Sequence, residues 1–98
     1  MPIFIAESNI DIARCFDVMK QLRTDLSAEK FIRSVAMQRE QGYQVALSER
    51  DGEIVAVAGF RVMEMLFSGK TLYVDDLVTD AQHQSQGIGE ELVRWVIE

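Results

Sequence analysis

The chain has 98 residues, a length that holds one domain, and 48% of them are hydrophobic, which supports a core and argues against a disordered tail. Sixteen acidic residues against ten basic ones give a net charge of −6, so the chain as a whole has no attraction for nucleic acid or anionic lipid. One cysteine, Cys15, excludes an internal disulfide and suits a reducing compartment, and together with the one histidine, His83, it is too few ligands for a zinc site built on nitrogen and sulfur. No apolar run approaches the roughly 20 residues of a membrane span, and the start Met1-Pro2-Ile3-Phe4-Ile5-Ala6-Glu7 lacks the pattern of a signal peptide. A cytoplasmic globular domain that engages neither membrane nor metal is expected.

Pro2 to Ala6 reads as a short first strand. Ser8, with Asp11 three residues on, opens a helix whose apolar positions Ile12, Phe16 and Met19 recur at helical spacing to about Leu22. After the break at Asp25-Leu26-Ser27, Ser27 caps a second helix with the stripe Ala28, Phe31, Ile32 and Val35, and Gly42 stops it. The period then changes. Tyr43, Val45 and Leu47 alternate with polar neighbours as a half-buried strand, and Asp51-Gly52 is a tight turn into Ile54–Val62, apolar enough to be covered on both faces. Ser68-Gly69 marks a second turn, Thr71 to Thr79 a third strand of the meander, and Asp80 to Gln86 a polar loop. From Gly87 a last helix begins, with Ile88, Leu92, Trp95 and Val96 on one face and Glu90 and Arg94 paired on the other. The order β-α-α-β-β-β-α in one short chain reads as α+β. The pattern stops at Ile97-Glu98 without a cap, which suggests either a further C-terminal part or a partner.

The chemistry concentrates between Leu72 and Gly89. A strand and a loop lead into a glycine-bearing helix start, Gln84-Ser85-Gln86-Gly87-Ile88-Gly89, where backbone can approach a ligand and free N–H groups favour an anion such as a pyrophosphate. The same spacing also describes an ordinary helix start. A P-loop is excluded because no Gly-Lys-Ser/Thr follows, and a dinucleotide-binding turn because position 92 is leucine and the preceding strand belongs to a meander.

These residues carry a resemblance. Gln84-Ser85-Gln86-Gly87-Ile88-Gly89 fits the Arg/Gln-x-x-Gly-x-Gly/Ala signature of the GNAT (Gcn5-related) N-acetyltransferases, and Tyr73-Val74-Asp75-Asp76-Leu77-Val78-Thr79-Asp80 is similar to the fourth strand of bacterial members. Val18 to Arg23 and the Gly59-Phe60-Arg61 strand look like the same subgroup, and the element order matches the N-terminal two-thirds of the family's domain. The resemblance implies a single, C-terminally incomplete GNAT domain over residues 1–98, without the fifth strand and last helix. It implies acetyl-CoA as co-substrate, with backbone N–H groups of Gln84, Ser85, Gln86, Gly87, Ile88 and Gly89 on the pyrophosphate. The backbone of Leu77, Val78 and Thr79 would lie along the pantetheine arm, and direct attack by a small-molecule or peptide primary amine would follow.

Asp75 and Asp76 are the nearest carboxylates for taking up the amine's proton, and alternation along a strand sends one of them to the substrate side. The alternative for both is solvation or pairing with Arg61 or Arg23. Tyr73 shares the face of Asp75 and either assists it or belongs to the core; Arg23 lines the acceptor site or is a surface arginine. Gln84 stands where arginine is commonest in the signature, and Thr71 to Val93 contains no lysine or arginine, which leaves Arg94 as the nearest base in sequence and points to weak cofactor affinity. The competing reading is a non-catalytic, dimeric CoA-binding or interaction module, either a shortened family member or a fragment. An unpaired fourth strand and an uncovered helix face predict a homodimer, in which elements can be exchanged. His83 reads as a loop residue, Cys15 as a buried hydrophobe, and Trp95 as core or interface.

Overall fold

The computed structural model describes residues 2–66, 69–84 and 86–97, with only the backbone of Met65 among them. The turn expected at Ser68-Gly69 and the motif residue Ser85 therefore fall wholly or partly outside the described residues.

The order of elements is β1 (Ile3–Ile5), α1 (Asn9–Arg14), α2 (Phe16–Leu22), α3 (Ala28–Arg39), β2 (Tyr43–Arg50), β3 (Glu53–Met65), β4 (Gly69–Thr79), a 3-10 turn (Ala81–His83) and α4 (Ile88–Ile97). The expected first helix is thus two. At Cys15 the N–H bonds to the Ile12 carbonyl at 3.1 Å, a tight i→i−3 turn, before Met19 resumes the α pattern by bonding back to Cys15 at 3.0 Å. Both expected caps are present: Ser8 Oγ accepts from the Asp11 N–H at 3.1 Å and Ser27 Oγ from the Lys30 N–H at 3.2 Å.

The strands form one antiparallel sheet in the order β1-β2-β3-β4. Asp51 and Gly52 both have positive φ, 52° and 80°, and join Arg50 to its partner Glu53 as a two-residue hairpin turn. Alternation along the central strands feeds two cores. Val45, Leu47 and Val57 pack under α1–α3 with Ile12, Met19, Phe31 and Val35. Ala46, Ala56, Ala58 and Phe60 pack under α4 with Ile88 and Leu92. Hence β3 is covered on both faces from Val55 to Phe60, whereas Val62, at the end of the apolar run, is exposed. Ala28 is exposed, so the working stripe of α3 is Phe31 and Val35 flanked by Ile32; Trp95, expected in the core or an interface, is 38% exposed, and Val96 is the α4 residue that packs beside Ile88 and Leu92.

Two bulges break the alternation. Between Ser48 and Glu49 the register with β3 skips Val55, and between Gly59 and Phe60 the register with β4 skips Asp75. The second places the site. Asp76 pairs with Gly59 and Val74 with Phe60, so Asp75 is the extra residue of β4. Strict alternation, which would separate Asp75 from Asp76, fails here, and both carboxylates reach side chains on the α1–α3 side. No helix among the described residues is long and apolar enough to cross a membrane.

Candidate active site

The site is built on β4. Asp75 is held by Arg61 of β3, whose Nε lies 3.1 Å and Nη2 2.7 Å from Asp75 Oδ2. The same Nη2 donates to Gln38 Oε1 of α3 at 2.8 Å, and the guanidinium sits 5.3 Å from the centre of the Tyr43 ring. Arg61 thus ties the bulge to a helix and to an aromatic face at once. Asp76 accepts from Arg23 Nε at 2.8 Å and from the same guanidinium's Nη2, and the Tyr43 hydroxyl donates to its other oxygen at 3.2 Å. The Asp76 side chain is 13% exposed and that of Arg23 56%, so the cation is the movable partner. Burial, then the neighbouring Asp76 carboxylate, pushes the Tyr43 phenol well above its ordinary value, so it remains a neutral donor.

Asp76 opens onto a pocket of ≈ 450 Å³ between α2, α3 and the sheet. Met19, Leu22 and Phe31 give it an apolar wall, and Arg23, Asp25 and Asp76 give it charge of both signs. Tyr73, paired with Arg61 and so on the same face, is 55% exposed and not part of the core. Asp75, Asp76 and Tyr73 therefore share one face of β4, and Arg23 joins them from the end of α2 through Asp76.

At the C-terminal end of β4, Leu77, Val78 and Thr79 pair with Ala58, Val57 and Ala56 of β3, and among the described strands nothing pairs with their other edge. The chain then turns under tight control. Asp80 Oδ1 accepts from Gln21 Nε2 of α2 at 2.7 Å, the Ala81 N–H returns to Gln21 Oε1 at 2.8 Å, and His83 Nδ1 lies 2.8 Å from Asp80 Oδ2. These bonds, that from Gln21 foremost and that with His83 next, hold the Asp80 carboxyl below its ordinary value.

Gln84 turns back toward the Thr79 carbonyl at 3.5 Å. Gly87 has φ 74°, and a Cβ there would meet nothing within 4 Å; a Cβ on Gly89 would stand 3.0 Å from Thr79 Oγ1. The first α4 bond runs from the Glu91 N–H to the Gly87 carbonyl at 3.1 Å, which leaves the N–H groups of Ile88, Gly89 and Glu90 without a carbonyl of their own helix to bond. An open glycine turn, three such amides and a free strand edge fit the phosphates and the amide-bearing arm of CoA.

Sequence reading missed Tyr43, Gly59, Gln21, Gln38 and Arg50 as parts of this region. Arg50 is a base that the sequence order does not place near the motif. Arg94, nearest in sequence, is spent on Glu90 at 2.6 Å, whereas Arg50 reaches from the end of β2 to the motif and donates through Nη1 to Gln86 Oε1 at 2.8 Å. No local signal could have found it, because only the sheet brings the two residues together.

The sequence profile of the acetyltransferase (GNAT) family matches residues 10–98, and the chain belongs to that family. Its fold is that of solved acetyltransferases. It is similar to a ribosomal-protein-alanine N-acetyltransferase from Brucella melitensis biovar Abortus 2308, with 14% identity and a TM-score of 0.83 over 99% of this chain and 70% of that one. A GNAT family acetyltransferase of Staphylococcus aureus subsp. aureus USA300_TCH1516 matches at 15% identity and TM-score 0.78, over 99% and 76% of the two chains. A glucosamine-6-phosphate N-acetyltransferase from Arabidopsis thaliana matches at 20% identity and TM-score 0.75, over 99% and 73%. No curated protein sequence matches the chain. Membership implies acyl-CoA-dependent acetyl transfer, and the family generally uses acetyl-CoA.

Proposed function

We propose that this chain is an N-acetyltransferase in which a primary amine attacks acetyl-CoA directly. The observation that carries this reading is that one strand borders both the pocket and the turn before α4. β4 presents Asp76 to the pocket at its bulge, and its free edge at Leu77–Thr79 runs on to the open turn of α4.

Acetyl-CoA, when bound, supplies an activated acetyl thioester. The main chain of Leu77, Val78 and Thr79 holds the pantetheine arm as an added strand, and a strand N–H polarises the thioester carbonyl. The amides of Gln84 to Gly89 hold the pyrophosphate. The acceptor arrives as ammonium in the pocket lined by Asp76, where the Arg23 guanidinium yields its place on the carboxylate. Asp76 takes the ammonium proton, steadied by the Tyr43 hydroxyl on its other oxygen. The freed amine would form the N–C bond as the C–S bond breaks; the electron pair leaves on sulfur, and the second proton lost from nitrogen passes to that sulfur, giving the amide and free thiol. Asp75 is a positioning residue: through Arg61 it fixes the bulge that turns Asp76 to the pocket. Tyr73 lies on the same face of β4 but does not line the pocket.

Titration with acetyl-CoA, followed by an amine screen read as thiol release, tests the proposal. Micromolar binding and release that depends on an amine are expected; no binding at millimolar acetyl-CoA contradicts it. A second reading, a CoA-binding module that pairs with its own copy, is favoured by the unpartnered outer edge of β4 beside exposed Leu77. Light scattering tests it, and a monodisperse monomer refutes it.

A further inference from the structure

We propose that Arg50 supplies, from the hairpin end of β2, the positive charge that binds the phosphates of CoA at the α4 turn. This rests on the reading of that turn as the CoA site.

The chain is acidic, and its arginines are nearly all committed. Arg14, Arg23, Arg33, Arg61 and Arg94 each pair with a carboxylate, and Arg39 bonds to the Ala6 carbonyl. Among the described residues two arginines are in no ion pair: Arg39, held by the Ala6 carbonyl beside β1, and Arg50, bonded to the neutral amide oxygen of Gln86. Of the two, Arg50 is the one that touches the motif before α4. An amide holds an arginine in place without cancelling its charge. The place is one residue before Gly87, a glycine of positive φ at the start of α4.

Gln84, at the leading position of the motif, carries no charge and bends back toward Thr79. Residues 71–93 hold no lysine or arginine, so a permanent positive charge for this turn comes from elsewhere in the fold. Arg50 is fixed for the purpose by the tight Asp51-Gly52 turn that follows it. The opposing charges nearby are Glu53 across the hairpin, Asp51 on the turn, and Glu90 and Glu91 on the first turn of α4, of which Glu90 is already paired with Arg94. A guanidinium offers two N–H groups side by side to phosphate oxygens, and the bond to Gln86 occupies one nitrogen only.

The test is CoA binding by calorimetry, without turnover, for the wild-type chain, R50Q and R50K, with dephospho-CoA as a second ligand. R50Q is expected to bind CoA about tenfold more weakly, the loss of one exposed charge-assisted contact, while R50K, which keeps the charge but not the paired N–H groups, should fall between R50Q and the wild type. The difference between wild type and R50Q should shrink at high salt. If R50Q loses affinity for CoA and not for dephospho-CoA, the contact is to the 3′-phosphate; an equal loss for both places it on the pyrophosphate, and either result supports the inference. R50Q binding CoA within twofold of a wild-type chain that does bind overturns this inference and leaves the proposed function standing. No binding by the wild type overturns both.

Discussion

The phenol of Tyr43 crosses β3 over Gly59. A Cβ at position 59 would lie 1.9 Å from the Tyr43 hydroxyl oxygen and 2.6 Å from its ring, so the absence of a side chain there is what lets the hydroxyl reach Asp76. Gly59 is also the β4 partner of Asp76, directly beside the bulge. The two residues are a matched pair: the glycine makes the channel and the tyrosine fills it.

Gly59→Ala should therefore displace a buried ring and cost about 1–3 kcal/mol of stability, read as a shift in the urea midpoint. In a Tyr43→Ala background the same substitution should cost much less, because nothing then occupies the space. An undiminished cost in the double variant would refute the pairing.

The carboxylates of the bulge should separate by function. Asp76→Asn should lower turnover by 10²-fold or more, the order of a lost general base, with the fold intact by circular dichroism. Asp75→Asn removes the partner of the half-buried Arg61 and should show mainly as lost stability. If Asp76→Asn retains wild-type turnover, Asp76 is not the base.

The tie between α2 and the loop before α4 should be sensitive to acid. The Asp80 carboxyl is held below its ordinary 3.8 in the folded chain. A group lowered on folding stabilises the protein above its unfolded value and loses that contribution as pH falls through the folded one. Wild type should be more stable than Asp80→Asn at pH 6, and the gap should close from roughly pH 4 downward. A gap that persists unchanged at pH 3 would contradict this.

Cys15 should be inert. It is fully buried, and burial pushes its thiol up to about 12. In the folded chain at pH 8 it should resist a thiol reagent that labels it at once in denaturant. Because its value is raised on folding, its contribution to stability is whole below the unfolded value near 9.0 and falls as pH rises toward 12. Rapid labelling of the native chain would mean that the α1–α2 junction opens.

Much of this architecture is legible in one sequence. The Asp51-Gly52 turn, the caps Ser8 and Ser27 and the glycine turn at Gly87 all act within a few residues of themselves, and the fold uses each. The half-buried strand expected from Tyr43, Val45 and Leu47 is instead covered on both faces, because Ala46 and Ser48 are buried as well. What the sequence hides is nonlocal or uncounted. A bulge adds one residue to a strand without changing its composition, so Asp75 and Asp76 read as opposite in facing when they are not. The tight turn at Cys15 carries neither proline nor glycine to announce it. Arg50 and Gln86 are 36 residues apart, Gln21 and Asp80 are 59, and each contact exists only once the sheet and helices are assembled.

If β4 and the α4 turn bind acetyl-CoA beside an acceptor pocket, isothermal titration of the chain with acetyl-CoA should show it. Saturable binding at micromolar concentration, weakened in R50Q, is expected. Absence of heat at millimolar acetyl-CoA, from a chain shown to be folded, would contradict it.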